Sequence, residues 1–220
     1  MTALAAAPGG GARATTREDW LDVALALLAR RGAGAVSVLT LSERLGVSRS
    51  SFYWHFRSRE GLFDALLERW DARNTRSIVR QAEAEAATIT ESVCNVFRCW
   101  VNPALFSPRL DVAVRAWARA SDTARARLDA ADRERTAAIE AMFARHGFAP
   151  DDAMVRARVL YTMQIGYYAL DMREPIAARL ALAPRYLETF TGVKPRDQEV
   201  AALRAYALAH AAVQDFEDPS

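Results

Sequence analysis

Two short helical segments on either side of Gly46 constrain the fold of this chain more than any other feature of its sequence. Leu41 and Leu45 are spaced to share one face of the first segment, and Phe52 and Phe56 share one face of the second. The tight turn between them needs a residue that adopts positive φ, which glycine does readily. The pattern predicts a small apolar core that holds two helices across a turn.

Helix signals recur along the rest of the chain, and strand signals are almost absent. Thr15 and Glu18 form a capping-box pattern before the first apolar-periodic segment, and Gly32 is placed to end that helix. Further N-caps are predicted at Ser37, Ser48 and Ser58. A long helix is predicted from residue 59 to about residue 87. Later helices are predicted over about 89–101, 108–119, 123–146, 151–171, 176–182, 185–190 and 196–214.

These helices predict an all-α fold in which a small N-terminal bundle is joined by a long helix to a larger C-terminal bundle. We expect the small bundle, with its helix-turn-helix, at residues 15–62 and the larger one at residues 63–216. Residues 1–14 are rich in Ala, Gly and Pro, which predicts a disordered tail.

Several classes of protein are disfavoured by what the sequence lacks. No apolar run approaches the roughly 18–20 residues of a membrane span, and the start does not match a signal peptide, so a cytoplasmic protein is expected. Cys94 and Cys99 lie five positions apart on a predicted helix and point in different directions, which predicts free thiols and no shared metal. The three histidines are scattered and no phosphate-loop or metalloprotease motif occurs, so we expect neither an enzyme nor a cofactor.

The charge is uneven along the chain. Residues 13–80 contain 12 arginines against 8 acidic residues, whereas the net charge of the whole chain is only +2. A basic N-terminal third indicates a polyanionic partner.

The second short helix has a polar face that suits nucleic acid. Its first turn, residues 49–51, carries one arginine and two serines. The N-terminal turn of a recognition helix meets base edges, where Arg reads guanine and Ser reads either base type. Tyr53 and His55 have side chains suited to phosphate, and Arg59 opens the next helix, where free N–H groups favour an anion. This face is therefore predicted to contact DNA.

Residues 16–67 resemble the TetR family of transcription regulators. The resemblance is carried by S-x₃-L-S-x₂-L-G-V-S, residues 37–48, and by SFYWHFRSREGLF, residues 51–63. It implies a regulator that binds double-stranded DNA as a homodimer, usually as a repressor. The DNA-binding residues it implies are Ser37, Arg44, Ser48, Arg49, Ser50, Ser51, Tyr53, Trp54, His55 and Arg59.

The sequence departs from the family pattern at three positions. Leu39 stands where some relatives carry a polar or basic base reader, Ser42 replaces a small apolar residue, and Arg59 replaces a common lysine. Two of these DNA-binding assignments have structural alternatives. Trp54 alternatively packs on the fourth helix, and His55 alternatively caps a helix or packs locally. Arg44 and Arg49 are alternatively solvated surface residues.

The C-terminal two-thirds contains two unusually apolar segments, residues 93–106 and 159–170. Helix 151–171 becomes apolar all round, which predicts burial on every side. Ligand cavities are mostly apolar and aromatic with few polar anchors. The pocket candidates are Phe97, Trp100, Phe106, Trp117, Met142, Tyr161, Gln164, Tyr167 and Tyr168, each of which is alternatively ordinary core. They predict a neutral, flat or greasy small-molecule effector.

The dimer interface is predicted on helix 151–171 and on the last helix. Gly166 allows a neighbouring helix to approach closely. The last helix carries a stripe of mainly small and apolar residues, which are Val200, Leu203, Ala207, His210 and Val213. A twofold dimer places two reading helices on successive major grooves of a palindromic operator. The expected function is a ligand-responsive regulator, and the alternative is a DNA-binding or DNA-organising protein without a small-molecule ligand.

Overall fold

A computed structural model of the chain describes residues 15–211. The predicted tail at residues 1–14, the predicted end of the last helix and Val213 lie outside the described residues. The described part is helical without strands. Its helices are α1 (Arg17–Arg31), α2 (Val38–Leu45), α3 (Arg49–Tyr53), α4 (Arg59–Trp70), α5 (Arg76–Glu83), α6 (Ile89–Val101), α7 (Pro108–Trp117), α8 (Asp122–Arg145), α9 (Pro150–Ala169), α10 (Ile176–Thr191) and α11 (Asp197–Ala211). The predicted all-α fold is confirmed.

The first helix starts one residue later than the sequence predicted. Thr16, not Thr15, is the N-cap: its hydroxyl accepts a hydrogen bond from the backbone of Asp19, and the Asp19 carboxylate accepts one from the backbone N–H of Thr16 at 2.7 Å. Aspartate thus replaces the predicted Glu18 in the capping box, because its carboxylate is the one that lies three residues after the cap. The predicted caps Ser37 and Ser58 are confirmed.

The predicted long helix is continuous from Arg59 to Glu83 but contains a π-helical turn at Asp71–Thr75. This wider turn separates α4 from α5 and leaves Asn74 and Thr75 buried. Such turns often occur at functional positions in helices. Here the turn faces two charged side chains that are themselves buried, as described below.

The prediction of two short helices over 176–182 and 185–190 is wrong, because α10 is a single helix that contains Pro184. Proline removes one helical hydrogen bond. The helix continues across it because Leu180, Ala183 and Leu187 on one face are all buried against the protein. Tertiary packing therefore overrides the local break.

Within the single chain α9 is buried on one side only, and the burial of its other side against a partner subunit stays a prediction. Ala153, Ala157 and Leu160 face the core, whereas Val155 and Val159 are 52% and 49% exposed. The apolar residues of this helix thus form two faces, of which only one packs against the same chain.

The stripe predicted for dimerisation on the last helix faces the chain's own core. Val200, Leu203 and Ala207 are all buried. The opposite face carries Ala201, Ala205 and Leu208, and these side chains are exposed. The helix was predicted correctly, but the stripe assigned to the interface is its buried face, because a sequence rich in alanine does not distinguish the two sides.

Two large apolar clusters form the core. The first joins Trp20 and Phe52 of the N-terminal helices to Leu110 and Val114 of α7 and to part of α8. The second lies among α5, α6 and α8–α11. The N-terminal helices therefore rest on α7 and α8. Within residues 15–211, no helix is long and apolar enough to cross a membrane.

Candidate nucleic-acid interface and ligand cavity

The turn between α2 and α3 has the predicted geometry. Gly46 has φ 66° and ψ 29°, the left-handed conformation that its position requires. Phe52 is fully buried and lies edge-on to Trp20, with ring centroids 5.4 Å apart. Phe56 stacks on Phe52 at 5.3 Å. These rings hold α3 against α1, so its other face points to solvent.

The exposed face of α3 carries residues that the sequence assigned to DNA. Tyr53 is 62% exposed and Trp54 is 86% exposed, so Trp54 does not pack on α4. Ser48, Arg49 and Ser50 are also exposed, and Ser51 is half-buried. The hydroxyls of Ser48 and Ser50 lie 2.8 Å apart, so Ser48 begins the helix without the predicted side-chain cap. A large aromatic ring left in water is a surface able to contact another molecule.

The remaining predicted DNA residues are placed differently. The Ser37 hydroxyl is used inside the protein, where it accepts a hydrogen bond from the backbone of Thr40. Arg44 is exposed and His55 is half-buried. Nε and Nη2 of Arg59 each donate to the carbonyl oxygen of Val36 at 3.3 Å. The same guanidinium lies 4.5 Å from the ring centroid of Phe63. A phosphate contact by Arg59 requires these contacts to be exchanged or shared.

A cavity of about 60 Å³ lies between α6, α9 and α10. Four of the nine predicted pocket residues line it: Phe97, Trp100, Gln164 and Tyr167. The lining residues missed from the sequence are Val101, Met163, Glu174, Ile176, Arg179, Leu180, Ala183, Tyr186 and Leu203. Most of these belong to α10 or to the segment before it. The apolar spacing of 176, 180 and 183 is a signal for this wall, but it was interrupted in the prediction by Pro184.

The other predicted pocket residues do not line this cavity. Met142 is buried in the second cluster. Trp117 packs on Phe63 of α4 at 4.8 Å, and Phe106 stacks on Tyr168 at 5.6 Å. Trp117 therefore connects α7 to the helix-turn-helix end of the molecule. The last of the nine, Tyr161, belongs to a buried polar cluster.

That polar cluster centres on a fully buried ion pair between Arg135 of α8 and Asp111 of α7, with Nη1 and Oδ1 3.0 Å apart. Arg135 also donates to Thr75 Oγ1 at 3.1 Å and to the Tyr161 hydroxyl at 3.1 Å. The indole of Trp70 donates to Asp111 at 3.0 Å. The pair thus connects α9, through Tyr161, to the π-helical turn and to the end of α4. Sequence reasoning missed it, because nothing local distinguishes Arg135 from the many solvated arginines.

The charges of this cluster support one another. Burial raises the pKa of Asp111, but the guanidiniums of Arg135 and Arg115 outweigh burial and lower it below its ordinary value. Burial lowers the pKa of Arg115, but its bond to Asp132 and the charge of Asp111 raise it overall. The cluster is therefore charged and paired at neutral pH.

The two cysteines are buried and do not pair. Burial raises the pKa of the Cys94 thiol and of the Cys99 thiol to about 12 in each case. Both thiols are therefore protonated at neutral pH, which disfavours nucleophilic or redox chemistry at either position. In the described part of the chain, no group of potential ligands is arranged to hold a metal ion.

A short exposed helix that follows a second helix across a glycine turn is a helix-turn-helix, and here it is part of an all-helical chain. Residues 21–66 match the model described as "Bacterial regulatory proteins, tetR family". Residues 21–66 therefore match this family's N-terminal domain, as the resemblance predicted.

Individual relatives agree with this family over the N-terminal region. The chain is similar to the tetracycline repressor protein class A from transposon 1721 of Escherichia coli, with 43% identity over 61 residues, 27% of this chain and 28% of that protein. It is also similar to the regulator AcrR of Shigella flexneri, with 38% identity over 53 residues, 24% and 25% of the two chains. The matched region spans about a quarter of the length of these relatives.

Solved structures extend the likeness of fold beyond this region. The reduced form of E. coli NemR has a TM-score of 0.59 at 21% identity, over 83% of this chain and 100% of that one. Mycobacterium smegmatis AmtR has a TM-score of 0.60 at 20% identity, over 92% and 97% of the two chains. The C-terminal helices therefore share their arrangement with these proteins.

Proposed function

We propose that this chain is a cytoplasmic transcriptional regulator, a repressor by default, that binds a palindromic operator as a homodimer and is released by a small neutral effector. The observation that carries the proposal is the exposed face of α3, where Arg49, Tyr53 and Trp54 meet solvent while Phe52 anchors the helix. A recognition helix held this way can enter the major groove. The family of residues 21–66 supports this assignment.

The two-subunit state is supported by unpartnered apolar faces on two helices. On α9 the exposed face carries Val155, Val159 and Thr162, and it continues to Gly166, whose absent side chain would meet no atom within 4 Å. On α11 the exposed face carries Ala201, Ala205 and Leu208. Small and apolar residues on exposed helices suit close packing against a second copy, and a twofold dimer matches a palindromic site.

Coupling between effector and DNA is supported by the buried ion pair. The cavity borders α9 through Gln164, one turn after Tyr161, whose hydroxyl bonds to Arg135. Arg135 in turn bonds to Thr75, in the π-helical turn that follows α4. A shift of α9 is therefore transmitted to α4, the helix that follows the helix-turn-helix. An effector that prefers the DNA-incompetent arrangement weakens DNA binding about 5–150-fold through a coupling of roughly 1–3 kcal/mol.

The second candidate is a DNA-binding regulator or DNA-organising protein without a small-molecule ligand. The observation that favours it is the size of the cavity, because about 60 Å³ is well below the roughly 300–1,000 Å³ of drug-sized ligand sites. Thermal unfolding of the protein with a compound library separates the two candidates, since an effector present at 100 times its Kd adds about 2.7 kcal/mol of stability.

The DNA-binding proposal is tested by selecting bound sequences from a pool of random duplexes. We expect the most enriched duplex to be palindromic and to bind two subunits. Its affinity for the protein should fall steeply as the salt concentration rises. Arg49→Ala should relax the sequence preference, with a discrimination loss of about 1–3 kcal/mol at the base it reads. The matched control is Arg185→Ala on α10, whose side chain is 83% exposed and far from α3 in sequence. Equal loss in both variants, or no enriched sequence, would refute the assigned reading face.

A further inference from the structure

The first turn of α2 presents a leucine to solvent. Leu39 is 43% exposed, whereas Leu41, two positions later, is fully buried in the core of the helix-turn-helix. Single apolar side chains are common on protein surfaces, so exposure alone assigns no role to Leu39. Its surroundings decide what this side chain can do.

The polar side chains around Leu39 are used inside the turn. The Ser37 hydroxyl accepts a hydrogen bond from the backbone N–H of Thr40 at 3.1 Å and lies 2.9 Å from the Thr40 hydroxyl. The buried Ser42 donates from its hydroxyl to the carbonyl oxygen of Leu39 at 2.9 Å. These bonds fix the backbone from which the Leu39 side chain projects. At this position the turn therefore offers a partner an apolar group on a rigid support.

Arg59 connects this turn to the C-terminal end of α3. Its guanidinium donates twice to the carbonyl oxygen of Val36, three residues before Leu39. Arg59 also begins α4, only five residues after α3 ends at Tyr53. The start of α2 and the end of α3 are therefore held at the same end of the helix-turn-helix. At that end Leu39, Tyr53 and Trp54 are all exposed.

The chemistry of the DNA major groove limits what a leucine can recognise there. Base edges in this groove present hydrogen-bond donors and acceptors, and the one apolar group among them is the 5-methyl group of thymine. A leucine placed against a donor or an acceptor leaves that group without a partner, which costs free energy. Against the methyl group it removes apolar surface from water on both sides. A leucine in this position therefore favours thymine over the other bases.

We infer that Leu39 reads the 5-methyl group of a thymine in each half-site of the operator. The inference rests on the proposed function and names the kind of sequence that the helix-turn-helix selects. Arg49 lies in the first turn of α3, at the opposite end of that helix from the segment that Arg59 ties to α2. We therefore expect Leu39 and Arg49 to contact different base pairs.

The test replaces thymine by deoxyuridine, which removes the methyl group and leaves the hydrogen-bonding groups of the base unchanged. The duplex selected by the full chain is resynthesised with each symmetric pair of thymines replaced in turn, and the affinity of the wild-type protein for each duplex is measured. Replacement of one such pair should weaken binding about fourfold for each half-site, and about 15-fold in all, as expected for the loss of one buried methyl group per half-site.

Leu39→Ala should no longer distinguish thymine from uracil at that pair, because the shortened side chain does not reach the methyl group. The matched control is Leu182→Ala on α10, which truncates a leucine of similar exposure, 47% against 43%, and should respond to uracil as the wild type does. A thymine methyl group that another side chain contacts, such as Trp54, stays sensitive in Leu39→Ala. The ratio of the two affinities is compared, since a smaller folded fraction of a variant affects both duplexes equally.

Equal affinity of the wild-type chain for every thymine duplex and its uracil counterpart would overturn the inference. A uracil response in Leu39→Ala as large as in the wild type would overturn it too, and so would a selected duplex whose half-sites share no thymine. If a sequence is enriched and Arg49→Ala relaxes the preference, these results remove only the role of Leu39. If no sequence is enriched, the proposed function fails and the inference fails with it.

Discussion

At the scale of single residues, Phe52 and Trp54 show how two neighbouring aromatics take opposite roles. They lie two positions apart, which places them about 200° apart around a helix. Phe52 is fully buried against Trp20, whereas Trp54 is 86% exposed. One ring anchors α3 in the core, and the other lies in solvent.

This difference leads to a paired prediction for Trp54→Ala and Phe52→Ala. Trp54→Ala should change the free energy of unfolding by less than about 0.5 kcal/mol, since its ring makes little contact with the protein, but it should weaken operator binding. Phe52→Ala should cost about 3–5 kcal/mol of stability, because it leaves a cavity beside Trp20. Urea unfolding and operator titration check the two effects. A large loss of stability in Trp54→Ala would contradict the exposed placement.

A second residue-scale prediction concerns Asp111. Its pKa in the folded protein lies below the unfolded value, so its contribution to stability is present above about pH 4 and is lost as the pH falls through the folded pKa. Asp111→Asn should therefore cost about 3–5 kcal/mol at pH 7, because Arg135 loses its buried counter-ion at 3.0 Å and keeps only the more distant, half-buried Asp132 at 3.9 Å. The difference from wild type should narrow at pH 3.

Chemical unfolding at both pH values measures this difference. The control is Asp129→Asn, which removes an exposed i,i+4 partner of Arg125. Exposed pairs contribute about 0–1 kcal/mol, so this variant should stay close to wild type at both pH values. A cost for Asp111→Asn that is as large at pH 3 as at pH 7 would argue against the assigned charge state.

At the scale of elements, the turn between α2 and α3 depends on one backbone conformation. Gly46→Ala should destabilise by roughly 1–2 kcal/mol, because a side chain is strained at φ 66° even where space is open. Gly61→Ala in the first turn of α4 should stabilise by about 0.5 kcal/mol, since its φ is ordinary and an added Cβ would lie 3.9 Å from Ser58. Thermal melts of the two variants should therefore shift in opposite directions. A melting temperature of Gly46→Ala equal to or above that of the wild type would show that this position does not require glycine.

At the scale of the whole molecule, the exposed face of α9 is the surface that we propose for dimerisation. Val159→Asp should convert the proposed dimer to a monomer, because it places a carboxylate in the proposed apolar interface without touching the chain's own core. Val112→Asp on α7 is the matched control, since Val112 is also an exposed valine, at 38% against 49% for Val159. Sedimentation velocity should show a monomer for the first variant and the wild-type state for the second. A dimer in both would place the interface elsewhere.

Much of the helical architecture follows from local chemistry and was predictable. The caps at Ser37 and Ser58, the stop at Gly32 and the positive φ at Gly46 depend on residues within a few positions of each other. The exposed face of α3 followed in the same way, because burial of Phe52 and Phe56 leaves the rest of a short helix exposed. The errors in this region were small, as with the cap at Thr16.

The predictions that failed elsewhere concern features that depend on contacts between residues far apart in the sequence. Pro184 breaks a local helical pattern, yet α10 passes through it because Leu180 and Leu187 are buried on either side. Five of the nine pocket candidates proved to lie outside the cavity, since aromatic residues at helical spacing look alike in core and in cavity walls.

The sequence by itself determined the all-helical class, the helix-turn-helix and the exposed side chains of α3, because these depend on periodicity, caps and one turn glycine. Only the tertiary structure decided which face of α9 and α11 is open, where the cavity lies, and that Arg135 is buried. The physical reason is that each of these depends on residues far apart in sequence: Arg135 is neutralised by Asp111, 24 positions away, and bonds to Thr75, 60 positions away.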